Sequence, residues 1–209
     1  VKHWKVVFII FGMMYCLSAC RQPTDEEMYY KIQQKISTME SYQCTVKIYI
    51  DNGKEEVEYV FQQIFKAPNQ YRLEVLAPST LKGNLTIYNG KTAWLYHPSI
   101  NQVRKIDNFN QSQEQMMFIG YFLKNYITSK ESVYETETLE GKDYFVLSTK
   151  IPGGNHYFSQ QELWIEKQQM IPEKLYIYDA KGKTRFKVYY EDFIYNPVLD
   201  ENLFHLSLP

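Results

Sequence analysis

A chain of 209 residues carrying 23 basic and 24 acidic side chains has a formal net charge of −1 and no long run of one sign, which argues against nucleic acid as a partner. Nineteen tyrosines and twelve phenylalanines favour strands and supply large contact areas, while three cysteines are too few for a disulfide scaffold.

The chain opens with Lys2 and Lys5, followed by an apolar run from Val6 to Leu17 that ends in Leu17-Ser18-Ala19-Cys20. That run is too short to cross about 30 Å of hydrocarbon at 1.5 Å per helical residue, and has the length of a signal-peptide core. The pattern predicts a bacterial lipoprotein signal peptide over residues 1–19, cut before Cys20, whose sulfur takes the lipid. Two or more acyl chains of the palmitate class hold a protein at a membrane where one would not. Residues 20–24 then form a short lipidated tether and residues 25–209 one domain, large enough for its own core. Loss of Lys2 and Lys5 leaves 21 basic against 24 acidic residues, a net charge of about −3. Cys16 leaves with the leader and Cys20 is lipidated, so Cys44 has no partner for an intramolecular disulfide. Cys44 adjoins a strand pattern and reads as a small core residue or a free thiol.

Thr24-Asp25-Glu26-Glu27 is a capping box, and Met28, Ile32, Ile36 and Met39 recur at near-helical spacing behind it. From Gln43 the period becomes two. Val46, Ile48 and Ile50 alternate with polar residues up to a turn at Asp51-Asn52-Gly53. Strand patterns continue at 56–65, 70–76, 84–88 and 91–97, the last two joined by Asn89-Gly90, a strong hairpin signal. Ser112-Gln113-Glu114-Gln115 is a second capping box, leading into Met116, Ile119, Leu123 and Tyr126. Strands resume at 132–139, 143–150, 161–166, 173–179 and 183–195, with turns at Glu140-Gly141-Lys142, Pro152-Gly153-Gly154 and Ala180-Lys181-Gly182. The predicted class is α+β, mainly β. Ten or eleven antiparallel strands should curl into a half-open barrel, with the helices covering its concave face.

No catalytic constellation assembles. His3, His97, His156 and His205 are scattered without a metal-ligand spacing, so no metal site is predicted. No serine sits in a GxSxG elbow, and Cys44 lacks a histidine context. Gly90-Lys91-Thr92 and Gly182-Lys183-Thr184 resemble the end of a phosphate-binding loop, but Leu85 and Ile177 stand where its first glycine belongs; both read as hairpin turns. The pairs Glu55-Glu56, Glu191-Asp192 and Asp200-Glu201 fall at expected strand ends or caps. The expectation is a protein that is not an enzyme and uses no cofactor. If the sheet curls, Leu73, Val75, Trp94, Tyr96, Leu147, Trp164, Leu175, Ile177, Phe186 and Val188 are the candidates to line its concavity. They either fill it as core or shape an apolar cavity.

The segments Glu162-Leu163-Trp164-Ile165-Glu166, Ile171-Pro172-Glu173-Lys174-Leu175, Tyr178-Asp179-Ala180-Lys181-Gly182-Lys183 and Tyr195-Asn196-Pro197-Val198-Leu199-Asp200 resemble, in order and spacing, the closing strands of the LolA-like family of lipoprotein carriers. Phe65-Lys66-Ala67-Pro68-Asn69-Gln70-Tyr71 and Tyr88-Asn89-Gly90-Lys91-Thr92-Ala93-Trp94 extend the resemblance over roughly residues 25 to 208. It implies a half-open barrel with a helical lid over an apolar cavity. A permanent anchor does not suit a shuttle. Among lipidated members, the lipobox, the size and the Tyr/Lys/Ile-rich composition resemble the clostridial germination lipoproteins of the GerS type. That resemblance implies a membrane-placed partner of an N-acetylmuramoyl-L-alanine amidase that modifies cortex peptidoglycan in sporulation, the amidase supplying zinc and catalysis. The alternative it implies is a carrier or receptor that holds an acyl chain of a lipid or lipoprotein in the cavity.

Overall fold

The computed structural model describes residues 23–51, 53–109 and 113–206. The leader, the processing site at Cys20, most of the tether, Asn52 and Ser112 lie outside them. The chain divides into two compact units, Val1–Ile36 and Ser37–Pro209.

Helix α1 (Asp25–Ser37) belongs almost entirely to the first unit. Its capping box is formed: the Thr24 N–H donates to Glu27 Oε2 at 2.9 Å and the Glu27 N–H to Thr24 Oγ1 at 3.2 Å. Acidic Asp25, Glu26 and Glu27 fill its first turn and Lys35 its last, which suits the helix dipole. Ile32 and Ile36 are its buried residues, and Met39 lies beyond its end.

The second unit is built on one antiparallel sheet of eleven strands: β1 (Ser41–Asp51), β2 (Glu56–Lys66), β3 (Gln70–Ala77), β4 (Leu85–Tyr88), β5 (Thr92–His97), β6 (Gln102–Asp107), β7 (Val133–Leu139), β8 (Lys142–Lys150), β9 (Gln160–Glu166), β10 (Ile171–Tyr178) and β11 (Thr184–Tyr195). The order is β6-β5-β4-β3-β2-β1-β11-β10-β9-β8-β7, so the sheet is open, with β6 and β7 as its edges. The chain starts mid-sheet at β1, meanders out to β6, crosses to the far edge at β7 and meanders back to β11 beside β1. The crossing carries helix α2 (Ile119–Thr128), which is why that helix lies across one face.

Turn chemistry fixes the hairpins. Glu140 and Gly141 both have positive φ, the requirement of a tight turn between β7 and β8. Asn89 Oδ1 accepts from the Lys91 and Thr92 N–H groups ahead of β5. Asp179 Oδ1 accepts from the Lys181 and Lys183 N–H groups, while its Oδ2 takes the Arg185 guanidinium at 2.7 Å. The Gly90 and Gly182 segments are therefore hairpin turns.

Two expectations need correction. The helix expected directly after Ser112 begins instead at Ile119, preceded by a short 3-10 helix at Gln113–Met117. No side chain at Phe118 caps α2; the Ile119 N–H donates to the hydroxyl of Tyr42 on β1, 3.1 Å away. A sheet residue thus does the work expected of the local serine. Strand β6 is an addition, since its Gln-Val-Arg-Lys-Ile-Asp sequence is mostly polar and lies at an exposed edge.

Glu114 in the 3-10 segment is half-buried, and its Oε2 has no hydrogen-bond partner. Burial raises its carboxyl above the ordinary glutamate value. An acid raised in the folded state favours folding while protonated; that contribution is lost as pH rises through the folded value. Glu114→Gln is expected to stabilise the protein near neutrality by about 1 kcal/mol. Thermal unfolding at two pH values checks this, since the advantage should vanish by about pH 4.

Candidate functional site

The strand registers sort the sheet into two faces. Starting from Tyr42, Val46 and Ile48, the face that carries α2 includes Phe65, Tyr71, Leu73, Val75, Leu147, Leu163, Leu175, Ile177, Phe186 and Val188. This inner face holds seven of the ten residues predicted to line a concavity. Trp94 and Tyr96 pair with Ile87 and Leu85, and Trp164 with Lys174, all on the opposite face. Period-two alternation within one strand does not tell which face is inner, and the ten residues fall on both.

Of the seven, Leu73, Leu147, Leu175, Ile177 and Val188 are buried, whereas Val75 and Phe186 are half-buried. Around Phe118 the inner face is filled. Its ring centroid lies 4.4 Å from that of Tyr71, 6.3 Å from Phe65 and 6.3 Å from Tyr121. Phe65 stacks on Tyr42, which stacks on Phe193. Polar groups inside this core are used to hold the crossing segment. The Tyr42 hydroxyl donates to Gln63 Oε1 at 2.8 Å, Gln161 Nε2 donates to the Met116 carbonyl, and the Tyr190 hydroxyl donates to the Met117 carbonyl. Cys44 is buried beside Gln63, and burial pushes its thiol well above the usual range, so it is a core residue rather than a nucleophile. Among the described residues, no group of three or more histidine, cysteine or carboxylate side chains is placed to hold a metal ion. No helix among them is long and apolar enough to cross a membrane.

The outer face carries a feature that single-strand periodicity does not reveal. Tyr49, Tyr189, Tyr176, Trp164 and Tyr144 form a ladder across β1, β11, β10, β9 and β8, with successive centroids 5.7, 6.3, 6.0 and 5.6 Å apart. The Lys174 ammonium stands 4.6 Å from the Tyr144 ring centroid and 5.5 Å from that of Trp164, and burial lowers its proton affinity. Each of these rings comes from a different strand, so only the register assembles them.

Beside the ladder lies a cleft of about 690 Å³, lined on one side by Ile171, Glu173 and Lys174 and on the other by Tyr189, Asp192 and Ile194. Lys142 bridges to Glu173 at 2.8 Å, and the Tyr144 hydroxyl donates to the same carboxylate at 2.8 Å. Lys47 bridges to Glu191 at 2.7 Å. Its lining is aromatic and mixed-charge. Sequence reasoning treated Glu191-Asp192 as a solvated strand end; the cleft arises from how β10 and β11 diverge.

The family model for the sporulation protein YdcC-like family matches residues 2–204. The chain is 23% identical over 201 residues to Sporulation protein YdcC of Bacillus subtilis (strain 168), covering 95% of this chain and 59% of that protein, so it spans about three fifths of that relative's length. The structure of the CwlD amidase from Clostridioides difficile in complex with the GerS lipoprotein contains a chain 34% identical, covering 85% of this chain and 99% of that one, with a TM-score of 0.51. A Vibrio parahaemolyticus domain whose name places it with outer membrane lipoprotein-sorting proteins is 16% identical, covers 86% of this chain and 95% of its own, and has a TM-score of 0.50. The fold is LolA-like and the chain is similar to GerS. The chain belongs to the sporulation protein YdcC-like family.

Proposed function

We propose that this protein is a lipid-anchored, non-catalytic adaptor of sporulation that binds an N-acetylmuramoyl-L-alanine amidase acting on cortex peptidoglycan. The observation that carries the reading is the 34% identity, over nearly the whole of the matched chain, to a component of the complex between the CwlD amidase and the GerS lipoprotein. In this account the leader of residues 1–19 is removed, acylated Cys20 holds the chain outside the cytoplasmic membrane, and residues 25–209 form a half-open barrel that presents its surface to the amidase. The filled inner face around Phe118 supports binding through the outer surface. The test is to incubate a purified amidase of this class with cortex peptidoglycan, with and without the detergent-extracted full chain. Amide cleavage should rise on adding the chain. An unchanged rate with no complex formed would refute the reading.

A second reading, an acceptor for an acyl chain, is favoured by half-buried Tyr59, Phe61, Val75 and Phe186, which share the inner face in the part not occupied by Phe118. Native mass spectrometry of protein extracted from its host separates the two, since this reading requires lipid that co-purifies in a fixed ratio.

A further inference from the structure

Strands β10 and β11 pair only from Lys174↔Tyr189 to Tyr178↔Thr184. Beyond Lys174, β10 stays with β9 as far as Ile171↔Glu166, while β11 stays with β1 as far as Tyr42↔Tyr195. The sheet therefore forks, and Ile171–Glu173 and Tyr190–Ile194 each have a strand neighbour on one side only. Both limbs are irregular at this level. The β9–β10 register shifts between Pro172 and Lys174, and the β1–β11 register shifts between Gln43 and Thr45, near Asp192 with φ of 52°. Bulges re-aim strands and end pairing in this way, and Pro172 has no N–H with which to continue the ladder. The cleft of about 690 Å³ is the space between the limbs.

We infer that this fork takes up an extended segment of the protein partner, which completes the interrupted ladder with its own main chain. The inference rests on the adaptor reading and locates its binding surface. A main chain is the ligand whose evenly spaced donors and acceptors match a strand edge, and flanking side chains then give specificity. The side chains here define the segment further. Ile194 is 51% exposed and apolar, Tyr189 offers a ring from the ladder, and exposed Asp192 lies in the cleft wall. The Glu173 and Glu191 carboxylates are already bridged to Lys142 and Lys47. The segment should place an apolar residue over Ile194 and Tyr189 and a basic residue beside Asp192. The two outer edges of the sheet carry charge as well, β7 doing so between the exposed side chains of Val133, Tyr134 and Leu139. Glu135 and Glu137 stand on fully exposed β7, and Arg104 and Lys105 on β6, the kind of charge that discourages strand addition.

The test uses the detergent-extracted full chain with p-benzoylphenylalanine in place of Ile194, of Thr136 on β7 or of Arg104 on β6, irradiated with a purified cortex amidase. An adduct from the Ile194 position alone, mapping to one short segment of the amidase, is expected. Ile194→Lys together with Asp192→Asn, an asparagine being tolerated at the φ of 52° found there, should weaken binding on the order of tenfold or more without changing the melting temperature. Adducts from Thr136 or Arg104 with none from Ile194, or full affinity in the double variant, overturn the fork while leaving the adaptor reading standing. Absence of any binding by the unmodified chain refutes the adaptor reading and the fork together. Saturation of the cleft by peptidoglycan fragments in place of the amidase also overturns it.

Discussion

Phe118→Ala is expected to lower the unfolding free energy by about 3–5 kcal/mol, the range for deleting a buried aromatic ring with only partial collapse of the void. Phe118 is fully buried and sits where the crossing segment meets the inner face, in ring contact with Tyr71, Phe65 and Tyr121. The next residue, Ile119, gives its N–H to Tyr42, so the ring and the hydrogen bond pin the start of α2 together. Removing the ring leaves a cavity and loosens the cap in one step. Urea denaturation at constant m-value measures the loss. A change below about 1 kcal/mol would mean that α2 is held elsewhere.

Gly120→Ala sets two effects against each other. In an ordinary helix the change gains about 1 kcal/mol. Here the added Cβ would lie 2.2 Å from Phe65 Cζ and 2.5 Å from Cε1. The Phe65 ring is buried and boxed between Tyr42 and Tyr121, so it has little room to withdraw. Overpacking of a tight core costs about 1–3 kcal/mol, and packing should therefore win. Gly120→Val should cost more still. Thermal unfolding of the alanine variant gives the sign directly: a raised melting temperature would contradict the close approach of α2 to β2.

Much of this fold is legible in local sequence because the sheet is a meander, in which each hairpin announces itself through alternation and a turn. Asn89-Gly90 and Glu140-Gly141 predict their hairpins, and Thr24 with Glu27 predicts the start of α1. The start of α2 was not legible, because its cap comes from Tyr42, 77 residues earlier in the chain. Strand β6 escaped for a different reason: an edge strand buries little, so its sequence carries almost no apolar pattern.

The site divides in the same way. Leu73 and Val188 are legible as inward residues because they alternate with Arg72, Glu74 and Lys187, whereas Leu147 lies in a continuous buried run from Tyr144 to Thr149 that does not by itself say which side is inner. Trp94, Tyr96 and Trp164 are equally apolar, yet the register turns them outward. Aromatic side chains on a solvent face look like core until the pairing is known. The ladder from Tyr49 to Tyr144 and the fork beside it exist only between strands, one set by four registers and the other by two bulges. The assignment of the chain to the YdcC-like sporulation family rests on a match over residues 2–204, whereas the proposed binding surface exists only in the assembled sheet.

The most direct test of the adaptor account is affinity purification of the detergent-extracted, tagged full chain from sporulating cells of its host, with bound proteins and extractable lipids both identified by mass spectrometry. The account predicts a cortex amidase in stoichiometric amount and no lipid beyond that attached at Cys20. A fixed ratio of non-covalent lipid with no amidase would contradict it and make the chain an anchored acceptor.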